Sequence, residues 1–180
     1  MEQGFFFFGD ERYVPLDHAD SNALMAKKAL FDPLHISEKQ VFTVDTSLEP
    51  DEAAYDYQKK IEKHFAVKEP QFDLVLLGLG DDAHTASLFP ETDVINIDKA
   101  GVTDVFLPGK KVFRITFTAP LINRAHHINF LVFGSSKADA VRHVLHDDKD
   151  YYKYPAQLIQ PVDGDVVWFM DEAAAMEIKK

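Results

Sequence analysis

The sequence predicts an α/β fold: an open, mostly parallel sheet flanked by helices, in the manner of a Rossmann-like three-layer sandwich. Three observations carry that expectation. Wholly apolar runs, FFFF at residues 5–8, FDLVLLGLG at 72–80 and HINFLVFG at 127–134, read as strands covered on both faces. Helix-forming segments stand between them, the alternation expected of a parallel sheet. Polar packets follow the apolar runs, at the carboxyl ends of strands where such sheets bind ligands.

Taken in order, residues 5–8 form the first strand, closed by Gly9. Ser21 and Asn22 stand where a helix cap belongs, ahead of ALMAKKALF, whose Ala and Leu content favours helix. QVFTV at 40–44 is a second strand. PDEAAYDYQKKIEKHF at 50–65 is a long helix, acidic at its start and basic later, as the helix dipole prefers. Residues 72–80 give the clearest strand, and KVFRITFT at 111–118 alternates enough to be half exposed. HINFLVFG is followed by a helix from about Lys137 to His146. VVWFM is the last strand, and DEAAAMEI reads as a closing helix. Residues 91–108 have weak periodicity and read as a surface excursion.

With 180 residues, 46% hydrophobic and 27% charged, the chain suits one globular domain, residues 1–180, with a substantial core. A net charge of −11 argues against nucleic acid or an acidic membrane surface as partner. The absence of cysteine removes disulfides, thiolate zinc sites and cysteine nucleophiles, and fits a cytoplasmic protein. No apolar run approaches the roughly 18 residues that span a bilayer, and the start carries no basic leader. A core strand at the very start leads to the expectation that sequence which ordinarily precedes it is absent here.

Three packets are placed to carry chemistry: Asp10-Glu11-Arg12, Asp81-Asp82-Ala83-His84 and Ser135-Ser136-Lys137, all expected on one edge of the sheet. Asp82 and His84, two apart after a glycine turn, fit either a polar turn or a pair in which the carboxylate orients an imidazole base. Gly134 to Lys137 combine backbone N–H groups with an ammonium, as a phosphate cradle does and as many helix starts do. Arg114 lies in an apolar strand, where a charge needs a partner, a ligand or a wet face. His143 and His146 share a helix face beside Asp147 and Asp148, a spacing more often solvated than metal-bound. No P-loop, zinc motif or full dinucleotide fingerprint is present, so no cofactor and no metal are expected.

The stretches FFFFGDERYVPLDHADSN, FDLVLLGLGDDAHTASLFP, RITFTAP, FLVFGSSKADAV and YPAQLIQP with WFMDEAAA resemble, in order, the glucosamine-6-phosphate isomerase/6-phosphogluconolactonase family. The lactonase branch of the resemblance implies metal-free hydrolysis of 6-phosphogluconolactone to 6-phosphogluconate in the oxidative pentose phosphate pathway. It implies a small-molecule sugar phosphate as partner. On that analogy His84 activates water and Asp82 orients it. Asp10, Arg12 and Asn22 shape the sugar site, while Arg114 and Lys137 hold the phosphate or the developing oxyanion. The deaminase branch carries a proton-transferring Glu before the proline of this motif, where Phe89 stands here, so the isomerising deamination is disfavoured. The resemblance also marks two departures. Ala83 occupies a position usually held by Gly, and the family's Ser-Gly-Gly phosphate loop has no counterpart. A non-catalytic sugar-phosphate-binding protein is therefore the alternative.

Overall fold

The computed structural model describes residues 4–66 and 68–178. Its regular elements, in chain order, are β1 (Phe6–Phe7), β2 (Asp10–Arg12), α1 (Asn22–Ala26), β3 (Val41–Phe42) and α2 (Pro50–Phe65). There follow β4 (Leu74–Leu77), β5 (Val102–Leu107), β6 (Val112–Phe117), α3 (Ala119–Ile122), β7 (His127–Val132), α4 (Ala138–His146) and β8 (Asp165–Met170). They gather into two compact units. One is built from residues up to Lys68 with Val102–Thr116, the other from Glu69–Gly101 and the residues from Phe117 onward.

In the first unit the phenylalanine run explains itself by period-two alternation. Phe7 stacks on Phe42 of the parallel neighbour β3, with ring centroids 4.4 Å apart, and meets His64 of α2. Phe6 and Phe8 point the other way, onto Phe31. Both faces of the run thus have aromatic cover, although β1 itself is half-buried and Phe5 is exposed. Ser21 caps α1 through the Leu24 N–H, as expected, but the helix changes over Lys27–Phe31 into a π-helical turn. The helix α2 has the predicted bounds, with Pro50 opening it and Ala53, Ala54, Tyr57 and Ile61 on its buried face. The fully buried Tyr57 hydroxyl accepts the Phe8 N–H at 2.6 Å and lies 3.1 Å from the Phe42 carbonyl, tying α2 to both strands where β1 ends.

Two expectations are corrected in this unit. The packet Asp10-Glu11-Arg12 does not trail off the end of β1. It forms β2, antiparallel to β6, because the backbone turns at Gly9 and finds a new partner. Residues 91–108 are not all excursion: 102–107 form β5, which sits beside β6, buries Val105 and Leu107, and receives the Gln58 side chain of α2 at the Val102 N–H.

The second unit holds the parallel sheet β4-β7-β8. Val75, Leu77, Ile128, Phe130 and Val132 are buried. Phe130 stacks on Trp168 at 4.0 Å across the β7–β8 pair. Within the same unit α4 buries Ala138, Ala140, Val141 and Val144. The prediction that the strand at 72–80 is covered on both faces is corrected: Leu74 is 49% exposed and Leu76 59%. An apolar run reports affinity for a cover, and does not itself supply one. The segment after β8 forms turns rather than the expected helix, and the Asp171 carboxylate at its start accepts the N–H groups of Ala174 and Gly134.

Replacing Tyr57 by Phe leaves the ring in place but strips the acceptor from the Phe8 N–H. A loss of about 1–3 kcal/mol is expected, read as a lower urea midpoint with an unchanged slope. An unchanged midpoint removes Tyr57 from its role as the tie between α2 and β1.

Candidate active site

The loop after β4 is closed by its own backbone. The Gly80 N–H donates to the His84 carbonyl at 2.8 Å, and the Ala83 N–H donates to the Gly80 carbonyl at 3.0 Å. The Thr85 hydroxyl donates to the Gly78 carbonyl at 2.8 Å. Ala83 sits at a positive φ of 61°. That conformation costs an alanine of order 1 kcal/mol. Its methyl is buried, which returns about 0.8 kcal/mol, so the departure from glycine is tolerated. The Ala83 carbonyl also accepts the Ala156 N–H, which anchors the loop to the Pro155–Leu158 turn.

His84 is fixed on three sides. Its Nδ1 lies 2.5 Å from Asp82 Oδ1, and the same oxygen accepts the His84 backbone N–H at 3.2 Å. Phe89 stacks on the imidazole with centroids 4.0 Å apart and planes inclined by 23°. On the remaining side the ring lies against Gly80, where a Cβ would come within 2.0 Å of Nδ1 and 2.6 Å of Asp82 Oδ1. Only glycine permits that approach. The hydrogen bond from His84, followed by its charge, holds the Asp82 carboxyl below the usual carboxylate range despite partial burial. In the tautomer whose Nδ1–H donates to the carboxylate, Nε2 carries the lone pair. The arrangement is that of a general base with an orienting carboxylate.

The third packet follows β7, the parallel neighbour of β4, so it stands on the same sheet edge as the His84 loop. The Lys137 ammonium is ion-paired with Asp81. The Gly134 N–H, offered by the sequence to an anion, donates to both oxygens of Asp171 at 3.1 Å. Ser135–Lys137 is a single tight turn before α4. Both anion-binding features therefore already face carboxylates of the chain itself.

The remaining predicted site residues lie in the first unit. Arg12 and Arg114 are direct cross-strand partners in the β2–β6 register. Like charges so placed repel, and Arg114 is half-buried. Burial, and then the charge of Arg12, hold its guanidinium below the ordinary range. Arg12 donates to the Asp20 carbonyl at 3.0 Å. Asn22 donates through Nδ2 to the carbonyl and carboxylate of Asp10 at 3.0 and 3.2 Å. Two adjacent guanidiniums beside a polar amide suit an anionic, hydroxyl-rich ligand.

Gly80, Phe89 and Asp81 were not singled out as site residues from sequence. Phe89 was legible only as an apolar ring in the place of a proton donor, and Gly80 only as half of a flexible turn. His143 of α4 is engaged within the fold: it stacks on Tyr154, and its ring nitrogens lie 3.3 Å from Asp139 and 2.6 Å from Asp147. Among the described residues no group of three or more acidic or histidine side chains gathers to hold a metal ion.

A family model described as glucosamine-6-phosphate isomerases/6-phosphogluconolactonase matches residues 2–168. The chain is 41% identical to the 6-phosphogluconolactonase of Synechocystis over 96% of its own length and 72% of that protein. It is 39% identical to the human 6-phosphogluconolactonase over 93% of its own length and 66% of that protein. The solved 6-phosphogluconolactonase of Trypanosoma cruzi superposes with a TM-score of 0.83 at 31% identity, covering 97% of this chain and 73% of that one.

Two substitutions test the geometry around His84. Gly80→Ala forces the imidazole off Asp82 and is expected to cost about 1–3 kcal/mol, measured by urea denaturation; a neutral result contradicts the close approach. Asp82 has a depressed folded pKa, so its contribution to stability is present above the unfolded carboxylate pKa and is lost as pH falls through the folded value. Its side chain is 51% exposed, which limits that contribution to about 1 kcal/mol or less. Asp82→Asn is therefore expected to lower stability at pH 6 and to match wild type at about pH 2. A stability gap that persists undiminished in acid shows that the pair is not the source.

Proposed function

The chain belongs to the glucosamine-6-phosphate isomerase/6-phosphogluconolactonase family, and from that premise we propose that it hydrolyses 6-phosphogluconolactone to 6-phosphogluconate, as the cytoplasmic lactonase step of the oxidative pentose phosphate pathway. The observation that carries the reading is the His84 clamp. An imidazole with Nδ1 on a carboxylate and Nε2 unblocked is built to take a proton from water.

In this reading His84 Nε2 removes a proton as the water oxygen attacks the lactone carbonyl. The resulting imidazolium is stabilised by Asp82. Collapse of the tetrahedral oxyanion breaks the bond from the carbonyl carbon to the ring oxygen, and the imidazolium returns its proton to that oxygen. The products are a carboxylic acid and a freed hydroxyl, so atoms and protons balance. Cations near the developing oxyanion and a grip on the remote phosphate supply the rest. We assign Lys137 and Arg114 to those anionic groups, and Asp10, Arg12 and Asn22 to the sugar. For Lys137 the substrate anion replaces Asp81, so Asp81 serves as a resident counter-ion that any phosphate must displace.

Phe89 argues for the hydrolase against the isomerising deaminase. Its ring lies on His84, where it orders the imidazole, and it has no proton to transfer.

Purified protein is expected to hydrolyse freshly generated 6-phosphogluconolactone above the spontaneous rate. His84→Ala is expected to lose about 10²–10⁴-fold of that excess rate while keeping its folded circular dichroism. An unchanged rate in folded His84→Ala removes His84 as the base. Binding of 6-phosphogluconate without turnover by wild type instead points to a sugar-phosphate-binding protein.

A further inference from the structure

We infer that Glu11, buried and absent from the reaction itself, is the positioning residue that presents Arg12 and Asn22 together to the sugar phosphate. The inference rests on the reading above, in which those two side chains touch substrate.

Glu11 is 1% exposed. Its Oε1 accepts the backbone N–H groups of Arg12 and Asn22, both at 2.7 Å. Its Oε2 accepts the Ala23 N–H at 2.8 Å and the Ser21 hydroxyl at 3.3 Å. Four donors on one carboxylate are what a buried anion needs to stay ionised. Burial pushes the Glu11 carboxyl up, and the three backbone N–H groups oppose the rise.

What these bonds connect matters more than their number. Arg12 and Asn22 are ten residues apart, separated by a loop that runs from Tyr13 to Ser21. Glu11 binds both backbones through a single oxygen atom, so the two side chains start from a fixed separation. Asn22 then reaches back to Asp10 and Arg12 to Asp20, which sets their directions. The same carboxylate adds a negative charge near Arg114, which opposes the lowering of its guanidinium by burial and by Arg12.

Glutamine at this position keeps the shape but turns one acceptor into a donor aimed at the Ala23 N–H or the Arg12 and Asn22 pair. Aspartate keeps the charge on a side chain one methylene shorter.

The test compares wild type, Glu11→Gln, Glu11→Asp, Asn22→Ala and the Glu11→Gln/Asn22→Ala double variant. Affinity for 6-phosphogluconate is read by calorimetry, and KM and kcat with the lactone. Expected is a rise of about tenfold in Kd and KM for Glu11→Gln with kcat within about twofold, because the His84 loop is untouched. Glu11→Asp is expected to recover part of the affinity. The double variant is expected to lose less than the product of the two single losses, since part of the effect of Glu11 passes through Asn22. Folded Glu11→Gln with Kd within about twofold of wild type overturns the inference, as do losses that multiply independently in the double variant. If Glu11→Gln does not fold, Glu11→Asp carries the same comparison. Wild type that binds without turnover contradicts the hydrolase reading while the Kd comparison still decides the role of Glu11. Wild type that neither binds nor turns over overturns both.

Discussion

The approach of the His84 imidazole to the Gly80 backbone constrains everything around it. The contact exists only because residue 80 has no Cβ, and it is held by a loop whose own N–H groups close on Gly80 and His84. Once the ring lies there, Asp82 can reach Nδ1 and Phe89 can stack on the imidazole. The buried Ala83 methyl and the Ala83–Ala156 hydrogen bond then lock the loop against the Pro155–Leu158 turn. A general base whose orientation is already set loses little freedom on reaching the transition state, and this is the benefit of pre-organisation.

The first unit uses a different strategy. Here hydrogen bonds to buried side chains fix the backbone on which Arg12 and Asn22 stand. Tyr57 sets the end of β1, and Glu11 gathers β2 and the start of α1 around one buried carboxylate. Arg12 faces Arg114 across the β2–β6 ladder without a neutralising side chain bonded to Arg114 among the described residues. The carboxylates of Asp10, Glu11 and Asp20 lie close enough to act on Arg114, so the guanidinium pair is set among acidic groups.

Much of this was legible in the sequence where local chemistry decides structure. The bounds of α2 follow from Pro50 and its charge gradient, the cap at Ser21 from its position, and β7 and β8 from apolar runs. The Asp82–His84 pair is a two-residue spacing after a glycine turn, so proximity alone predicts it. What escaped depends on distant partners. β5 is hidden because only Val105 and Leu107 of its residues are buried. Residues after β8 favour helix by composition, yet they form a run of turns. Lys137 reads as free until β4 and β7 come side by side and Asp81 is brought to it. Glu11 reads as one more charge in a polar packet, because nothing in DER says which of the three turns inward.

The central claim is that His84 is held with its proton on Nδ1 and its lone pair on Nε2. Nitrogen-15 NMR of the imidazole of His84, assigned by comparison with His84→Ala and recorded above the histidine titration, tests it most directly. The account predicts a protonated Nδ1 and a bare Nε2, with the Nδ1 proton lost to fast exchange in Asp82→Asn. A predominant Nε2–H tautomer in wild type contradicts it.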